Sequence, residues 1–501
     1  MIQVFILLGA AAAMIVVDSL SRKVGIREGG GIFASMALFS TLILLWVEAS
    51  KPPQVTTYRV FGSESPLTAS LKLDPLSLYL SMIFCGIGLA ASIYSIRYME
   101  LERETGLDRY YLLLLTLVAG MIGVTLANDF FTLYVFWELM AISSYSLVSF
   151  RKWSWEAVEA GFKYLLMSSI GSLMALLGIA LLYGLTGSLG FDVLKAALAS
   201  GRSPAAHLSL ALIMIGFGVT AAIVPFHSWL PDAHPAAPTP ISAVLSGVVI
   251  KTGVYAMLWS LFKVFTPQVY GFGWIIMGLG ALTMTFANIT AIMQSDIKRF
   301  LAYSSIANIG YIITGMGIAA HVAANYSGEF RIVALALAGS LLHILNHALG
   351  KGLSFLSAGC YIVRAGTREI SSLGGIGLKM PATTTSLGIG LLNLAGIPPL
   401  SGFWSKLFIA SAGLGILSDI SLIAVTAVFI LNSILAAGYY LWFLQRIVFK
   451  RGAGGYSSEI NEAPASMLAP LIALAATSIL ITIMLNPVID FIQSALGVLL
   501  G

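Results

Sequence analysis

Charge is scarce in this 501-residue sequence: only 10% of it is Asp, Glu, Lys or Arg. Ordinary soluble domains carry about a quarter, so a soluble fold is excluded. Cysteine is nearly absent too. Cys85 and Cys360 stand far apart in apolar surroundings, with no CxxC pair between them. Iron–sulfur clusters and structural zinc therefore lack ligands in this chain, and both cysteines read as small core residues. No long polar stretch exists from which to build even one soluble domain. The net charge of +5 comes from scattered basic residues rather than a patch, which argues against nucleic acid as a partner. The first apolar run, MIQVFILLGAAAAMIVVDSL, lacks the positive leader of a signal peptide. Its charges, Arg22, Lys23 and Arg27, follow it instead, as in an uncleaved first span with its N-terminus outside.

What is present is apolar: 58% hydrophobic residues and a mean hydropathy of +0.92. Windows of about 20 apolar residues recur from end to end, the pattern of an all-α polytopic membrane protein. The spans fall near 1–20, 31–50, 76–96, 110–128, 130–150, 160–185, 206–225, 238–262, 270–294, 300–320, 331–362, 382–413, 419–446 and 466–486. Pro487 is expected to end or bend the last of these. With the N-terminus outside, the inside loops hold sixteen of the 27 basic residues, including Arg97, Arg103, Arg109, Arg151, Lys152, Lys298, Arg299, Arg364, Arg368, Lys379, Arg446, Lys450 and Arg451. The outside loops hold seven, among them Lys51, Arg59, Arg202 and Lys263, so the bias supports both count and orientation.

Two spans contain breaks. IVPFHSWLPDAHPAAPTP closes the seventh, where five prolines forbid a regular helix, and NLAGIPPLSGFWSK interrupts the twelfth. The breaks lie five spans apart. So do FKYLLMSSIG (162–171) and GKGLSFLSAG (350–359), which share the spacing of lysine, leucine, serine and glycine. Spans 4–8 and 9–13 thus read as two repeats, and a five-span shift inverts the second. The expected organisation is an N-terminal three-span unit over 1–105, repeats over 106–265 and 266–450, and a last span within 451–501.

Five ionisable residues sit at depth: Glu138, Lys163, Lys251, Lys351 and Lys406. Each costs about 2.5–3.5 kcal/mol on insertion scales, so a purely decorative role for all five is disfavoured. Rise along the hairpin of spans five and six puts Glu138 and Lys163 at similar depth, near enough for a direct or water-bridged pair. A single such pair is equally a structural staple. His343, His347 and Lys351 follow one another at four-residue steps and share a helix face. Haem binding by the two histidines would need a buried histidine on a second, suitably placed span, and none is expected there. His227 and His234 flank WLPDA beside the first break, where packing and helix capping are favoured over a metal. Ser143, Ser144, Ser168, Ser169, Ser304 and Ser305 dot the same spans as packing residues that can also hold water. Titratable groups in this series suit proton transfer.

HSWLPDAHPAAPTPISAVLSGVVIKTG (227–253), SDIKRFLAYSSIANIGY (295–311) and GIPPLSGFWSK (396–406), with LDPLSLYL (73–80), resemble the antiporter-like subunits shared by respiratory complex I, Mrp-type Na+/H+ antiporters and membrane-bound hydrogenases. The resemblance covers about residues 70 to 445. It implies fourteen helices with two inverted five-helix repeats, each with one broken helix. It further implies ion translocation through Glu138, Lys163, Lys251, His343, His347, Lys351 and Lys406, with Ser168 and Ser304 as possible pathway residues. The family usually has a lysine in span seven, five residues before the proline of the break. Thr220 occupies that position here, which favours either substitution by Lys163 or Lys251, or a diverged subunit that spaces its neighbours without conducting. Stopping at Gly501, the chain is similar to the shorter members, such as D-type Mrp subunits. The implied setting is a prokaryotic cell membrane. Implied partners are other membrane subunits, including another antiporter-like one, with H+ and possibly Na+ as the ion. No cofactor is expected in this chain, and iron–sulfur or other redox centres would belong to partner subunits.

Overall fold

The computed structural model describes residues 2–26, 28–52, 55–59, 69–199, 201, 203–449 and 460–500. Arg27, Arg202, Lys450, Arg451 and the expected boundary at 450/451 lie outside them. Almost all of the remainder is helical, as the apolar windows require. The helices are α1 (Ile2–Lys23), α2 (Gly29–Ala49), α3 (Pro75–Leu101), α4 (Leu107–Leu126), α5 (Phe130–Val148) and α6 (Trp155–Thr186). There follow α7 (Phe191–Ala199), α8 (Pro204–Thr220), α9 (Leu230–Ala236), α10 (Thr239–Val244), α11 (Ile250–Trp259), α12 (Pro267–Tyr270) and α13 (Gly273–Ile292). The chain ends with α14 (Ile297–Asn325), α15 (Phe330–Ala365), α16 (Pro381–Ala395), α17 (Ser401–Gly413), α18 (Ile420–Phe449), α19 (Ala465–Ile483) and α20 (Leu485–Leu500). Among the described residues, twelve helical stretches are long and apolar enough to cross a bilayer, counting α10 and α11 as one continuous run.

The two spans that fall short are the two expected to be broken. The seventh is divided into α8 and α9 by the turn over 221–229, and the twelfth into α16 and α17 by residues 396–400. Proline supplies no N–H and its ring obstructs the preceding turn, so each break follows from sequence. The Val224–Pro225 and Pro398–Pro399 peptides, one in each break, are cis. The last span is interrupted as expected near Pro487, with α19 ending at Ile483, four residues before the proline. Pro487 itself sits in the first turn of α20, where a missing N–H costs nothing, and this sixteen-residue helix runs on past the sequence-based end of the last span.

Local capping follows the sequence closely. Asp74 and Ser77 form a reciprocal capping box at the start of α3, and Asp129 caps α5 through the Thr132 N–H. Asp129 also accepts from the Ser70 N–H at 2.9 Å and from its hydroxyl at 3.0 Å, tying α5 to the hairpin of β1 (Thr56–Arg59) and β2 (Ser70–Leu73). Between helices, small residues permit close approach: Gly280 and Gly310 bring α13 onto α14, and Gly171, Gly178 and Gly216 bring α6 onto α8.

The second break is held by one asparagine. Asn393 Oδ1 accepts from the Gly402 N–H at 2.7 Å, joining α16 to α17 across the interruption. A Cβ on Gly402 would overlap the Asn393 carbonyl oxygen, a backbone atom that cannot move aside. Gly402→Val is expected to destabilise the chain by about 1–3 kcal/mol or more, read as a lower melting temperature of the detergent-solubilised protein. An unchanged melting temperature would contradict this packing.

At the other end of α17, Asp419 ties the loop before α18 to α14. His321 Nε2 lies 2.7 Å from Asp419 Oδ2, the Tyr326 hydroxyl donates at 2.9 Å, and the Ser421 N–H donates to Oδ1 at 2.9 Å. Burial raises this carboxyl, but hydrogen bonds from Ser421, His321, Tyr326 and the Leu422 N–H outweigh it and hold the group well below the ordinary carboxylate value. A depressed carboxylate stabilises the fold above its unfolded pKa and loses that contribution as pH falls through the folded one. Asp419→Asn is therefore expected to lower the melting temperature by the same amount at pH 8 and pH 5, with the difference shrinking only in stronger acid.

Candidate functional site

Lys251 lies fully buried on α11, just after a π-helical turn over Leu245–Val249. Lys251 Nζ donates to the carbonyl of Ser246 within that turn. The Ser246 hydroxyl pairs with that of Ser305 on α14 at 2.6 Å. One residue away, Ser304 receives Lys351 Nζ from α15, and the same ammonium donates to the Leu301 carbonyl at 3.0 Å. The like charges of Lys251 and Lys351 are within electrostatic reach of each other.

The four-residue steps on α15 carry the file onward. His347 is wholly buried, and neither ring nitrogen has a hydrogen-bond partner among the described residues. Its ring lies parallel to that of His343, with centroids 6.4 Å apart. His343 has both nitrogens engaged: Nδ1 with Ser405 Oγ at 2.9 Å and Nε2 with Asn308 Oδ1 at 3.0 Å. Asn308 in turn donates to the Tyr440 hydroxyl at 3.1 Å and to the Ser304 carbonyl at 2.7 Å, closing a loop back to Lys351.

Lys406 follows Ser405 on α17. Its Nζ donates to the Ala395 carbonyl at 3.1 Å and stands 4.8 Å above the Tyr311 ring. The break makes that carbonyl available, because helix α16 ends there and leaves it without an intrahelical donor. Gly396 closes α16 at a positive φ of 76°, and a Cβ there would approach Lys406 Cδ to 2.8 Å. The interruption is thus shaped around the lysine.

Five residues named from sequence therefore form one buried file from α11, α15 and α17, with α14 supplying hydrogen-bond partners: Lys251, Lys351, His347, His343 and Lys406. Among the described residues, none of the five hydrogen bonds to a carboxylate. Hydroxyls, amides, carbonyls and ring faces solvate the file, so a proton on one base raises the electrostatic cost of charging the next. Such a row can pass a proton along by alternate charging.

The remaining predicted residues are elsewhere. The Glu138–Lys163 pair is not formed. Lys163 is half-exposed, with Nζ 2.8 Å from Glu159 Oε1 and 3.2 Å from Asp232 Oδ2. Depth along a helix says nothing about azimuth, and a long lysine near a helix start extends toward water. Glu138 has one buried oxygen, Oε1, without a hydrogen-bond partner among the described residues. Its interacting neighbours are Tyr134, one turn back, and Tyr145, two turns on. Thr220 is buried at the end of α8, where the chain offers no lysine to Glu138. Ser168 is buried on α6, and Ser304 alone of the two possible pathway serines touches the file.

Three residues were not assigned to the site from sequence. Lys298, read as a loop cation, is 2% exposed. His234, read as a packing or capping residue, is wholly buried with both ring nitrogens unpartnered among the described residues. Asp232 pairs with Lys163 and lies 3.7 Å from Arg299. Charge inside the segments LPDAHP and SDIKRF was the available signal. Among the described residues, no group of three or more His, Cys, Asp or Glu is placed to hold a metal ion.

The family model described as "NADH:quinone oxidoreductase/Mrp antiporter, TM" matches residues 127–431, and that described as "NADH-Ubiquinone oxidoreductase (complex I), chain 5 N-terminus" matches 62–111. NADH-quinone oxidoreductase subunit N of Desulforudis audaxviator is 32% identical over 90% of this chain and 89% of its own length. A Na(+)/H(+) antiporter subunit of Alkalihalophilus pseudofirmus is 33% identical over 79% of this chain, which spans 50% of that longer protein. Among solved structures, a chain of the membrane-bound sulfane sulfur reductase, an archaeal respiratory membrane complex, superposes with a TM-score of 0.85 at 26% identity, covering 99% of this chain and 97% of that one. The fold, its apolar helices and these matches agree: the chain is a multi-pass membrane protein and belongs to the antiporter-like subunit family of NADH:quinone oxidoreductases and Mrp antiporters.

Proposed function

We propose that this chain translocates protons, with or without sodium, as one subunit of a multisubunit membrane complex. The observation that carries the reading is the buried file from Lys251 to Lys406, a row of bases with no carboxylate among the described residues to neutralise it. Ionisable groups at bilayer depth that are not paired off have little structural value and suit a conduction path. Energy for transport would come from redox chemistry in partner subunits or from an opposing ion gradient. The relatives support both settings, being parts of an oxidoreductase, an antiporter and a sulfur reductase.

In this reading the chain crosses a prokaryotic membrane fourteen times, with its N-terminus outside and its breaks in two inverted five-span repeats over 106–265 and 266–450. The twelve long helices together with the two divided spans support that count. Partner subunits are favoured by the position of Glu138, which shares a helix face with Val135 and Ile142, 50% and 49% exposed. A carboxylate on a lipid-facing surface is costly, so a neighbouring subunit is expected to cover it, another antiporter-like chain being the natural candidate.

A second reading, in which the chain spaces its neighbours without conducting, is favoured by Thr220 and by the missing partner of Glu138. Lys251→Ala separates the two. Conduction predicts that this variant loses roughly tenfold or more of the chain's ion transport in membrane vesicles while the complex assembles. Untouched transport would favour the spacer. Mass spectrometry of proteins copurifying from gently solubilised membranes would then identify the driving force, through redox subunits on one hand or small antiporter subunits alone on the other.

A further inference from the structure

A cavity of about 290 Å³ opens on the face that carries Arg299 and Arg368, between α6, α9, the start of α14 and the loop before α16. Its walls are ion pairs. Lys163 bridges Glu159 and Asp232, while Arg368 reaches Glu156 at 3.0 Å and Asp296 at 3.1 Å. Every carboxylate there already has a cation, so the cavity offers no vacant ligand site. These side chains are partly exposed, so the cavity is open to water.

The floor is α9. Pro235 lines the cavity, and its carbonyl oxygen accepts from Arg368 Nη1 at 2.9 Å on the wet side. On the dry side the same oxygen accepts from Lys298 Nζ at 3.4 Å, which also donates to the Ala237 carbonyl at 2.7 Å. Among the described residues Lys298 has no carboxylate within ion-pair distance. The residue before Pro235 is His234, whose ring stacks on Phe355 with centroids 4.7 Å apart. The charged groups that act on it are Lys298 of α14, Lys351 of α15 and Lys251 of α11. A buried imidazole with two unpartnered nitrogens thus adjoins Pro235 of the cavity floor and lies within electrostatic reach of Lys298 and of the first members of the file.

We propose that this cavity is a proton inlet, and that Lys298 and His234 are the carriers joining its water to Lys351 and Lys251. The proposal rests on the relay reading and gives that relay an input that does not use Glu138. Through an intervening water, one ring nitrogen of His234 takes a proton from the Lys298 ammonium, leaving a neutral amine. The other nitrogen gives its proton to the neutral amine of Lys351 or Lys251, and a hydronium ion from the cavity recharges Lys298. Each step moves one proton and changes no other bond. The ion pairs of Asp232 with Lys163 and Arg299 fix α9 against α6 and α14, making Asp232 a positioning residue for this floor.

The test uses the intact complex in liposomes containing pyranine, with a potassium diffusion potential driving protons. The component of flux removed by Lys406→Ala is the reference. His234→Phe and Lys298→Met are each expected to lower that component roughly tenfold, with the complex whole on native gels. His234→Ala is expected to regain it on addition of imidazole, and with 4-methylimidazole the pH profile should move with the pKa of the added base. A merely packing role for the ring predicts neither the rescue nor the shift. Full flux in His234→Phe would overturn the inlet, as would a His234→Ala loss that imidazole leaves unaltered; the latter measurement decides if the Phe variant does not assemble. If Lys406→Ala removes flux and the His234 variants keep it, the inlet alone is wrong. If Lys406→Ala has no effect, the relay itself is wrong.

Discussion

Lys406→Ala is expected to lower ion transport by this chain roughly a hundredfold, with the complex assembling as before. The lysine is 6% exposed, and its ammonium is met by one carbonyl and one ring face. Removing one member of a buried ion pair normally destabilises by about 3–5 kcal/mol, because the other charge is stranded. Here no carboxylate is stranded. The cost of the substitution is confined to the lost packing of the stem and one unpaired carbonyl at the end of α16. Stability and transport should therefore separate: the melting temperature falls little, while transport is nearly lost. Lys406→Arg sharpens the test, since guanidinium does not give up its proton at working pH. That variant should be as inactive as the alanine form if protonation changes matter, and active if only a fixed positive charge is needed.

Glu138→Gln carries the second large effect. It replaces an oxygen by an amide nitrogen of nearly the same size and removes the charge. Coupled transport should fall by roughly tenfold or more, with assembly intact. The fold gives up little, because Oε1 has no donor among the described residues to lose. If a partner subunit supplies a cation to Glu138, the variant should also weaken the hold on that partner, seen as its loss from the purified complex at raised salt. Full transport with a complete complex would remove Glu138 from the pathway and leave the file from Lys251 to Lys406 standing without it.

The contrast between these two residues shows what could be read from sequence. Proline fixes backbone geometry wherever it stands, so the breaks before Leu230 and after Ala395 were legible residue by residue. The four-residue spacing of His343, His347 and Lys351 likewise fixed a common face on α15, because the helix period is rigid. Lys163 was misplaced for the opposite reason. Its depth followed from counting, but its direction depends on how α6 is rotated in the bundle, which is set by contacts such as Gly171 with Val219 of α8. Lys298 was read as a loop cation because the flanking spans were placed at 270–294 and 300–320; α14 begins at Ile297, and the lysine's ammonium reaches the Ala237 carbonyl after α9. The partners of the file were also hidden. Asn308, Ser405 and the Ala395 carbonyl come from segments far apart in sequence, and only packing brings them to His343 and Lys406.

The central claim is that this chain itself moves ions through its buried bases. The most direct measurement is the number of ions translocated per turnover of the intact complex, compared between the unaltered chain and the Lys251→Ala/Lys406→Ala double variant. Conduction through the file predicts that the ratio falls by this chain's share while the complex keeps its subunits. An unchanged ratio, with both lysines gone and the complex whole, would contradict it and make the chain a spacer.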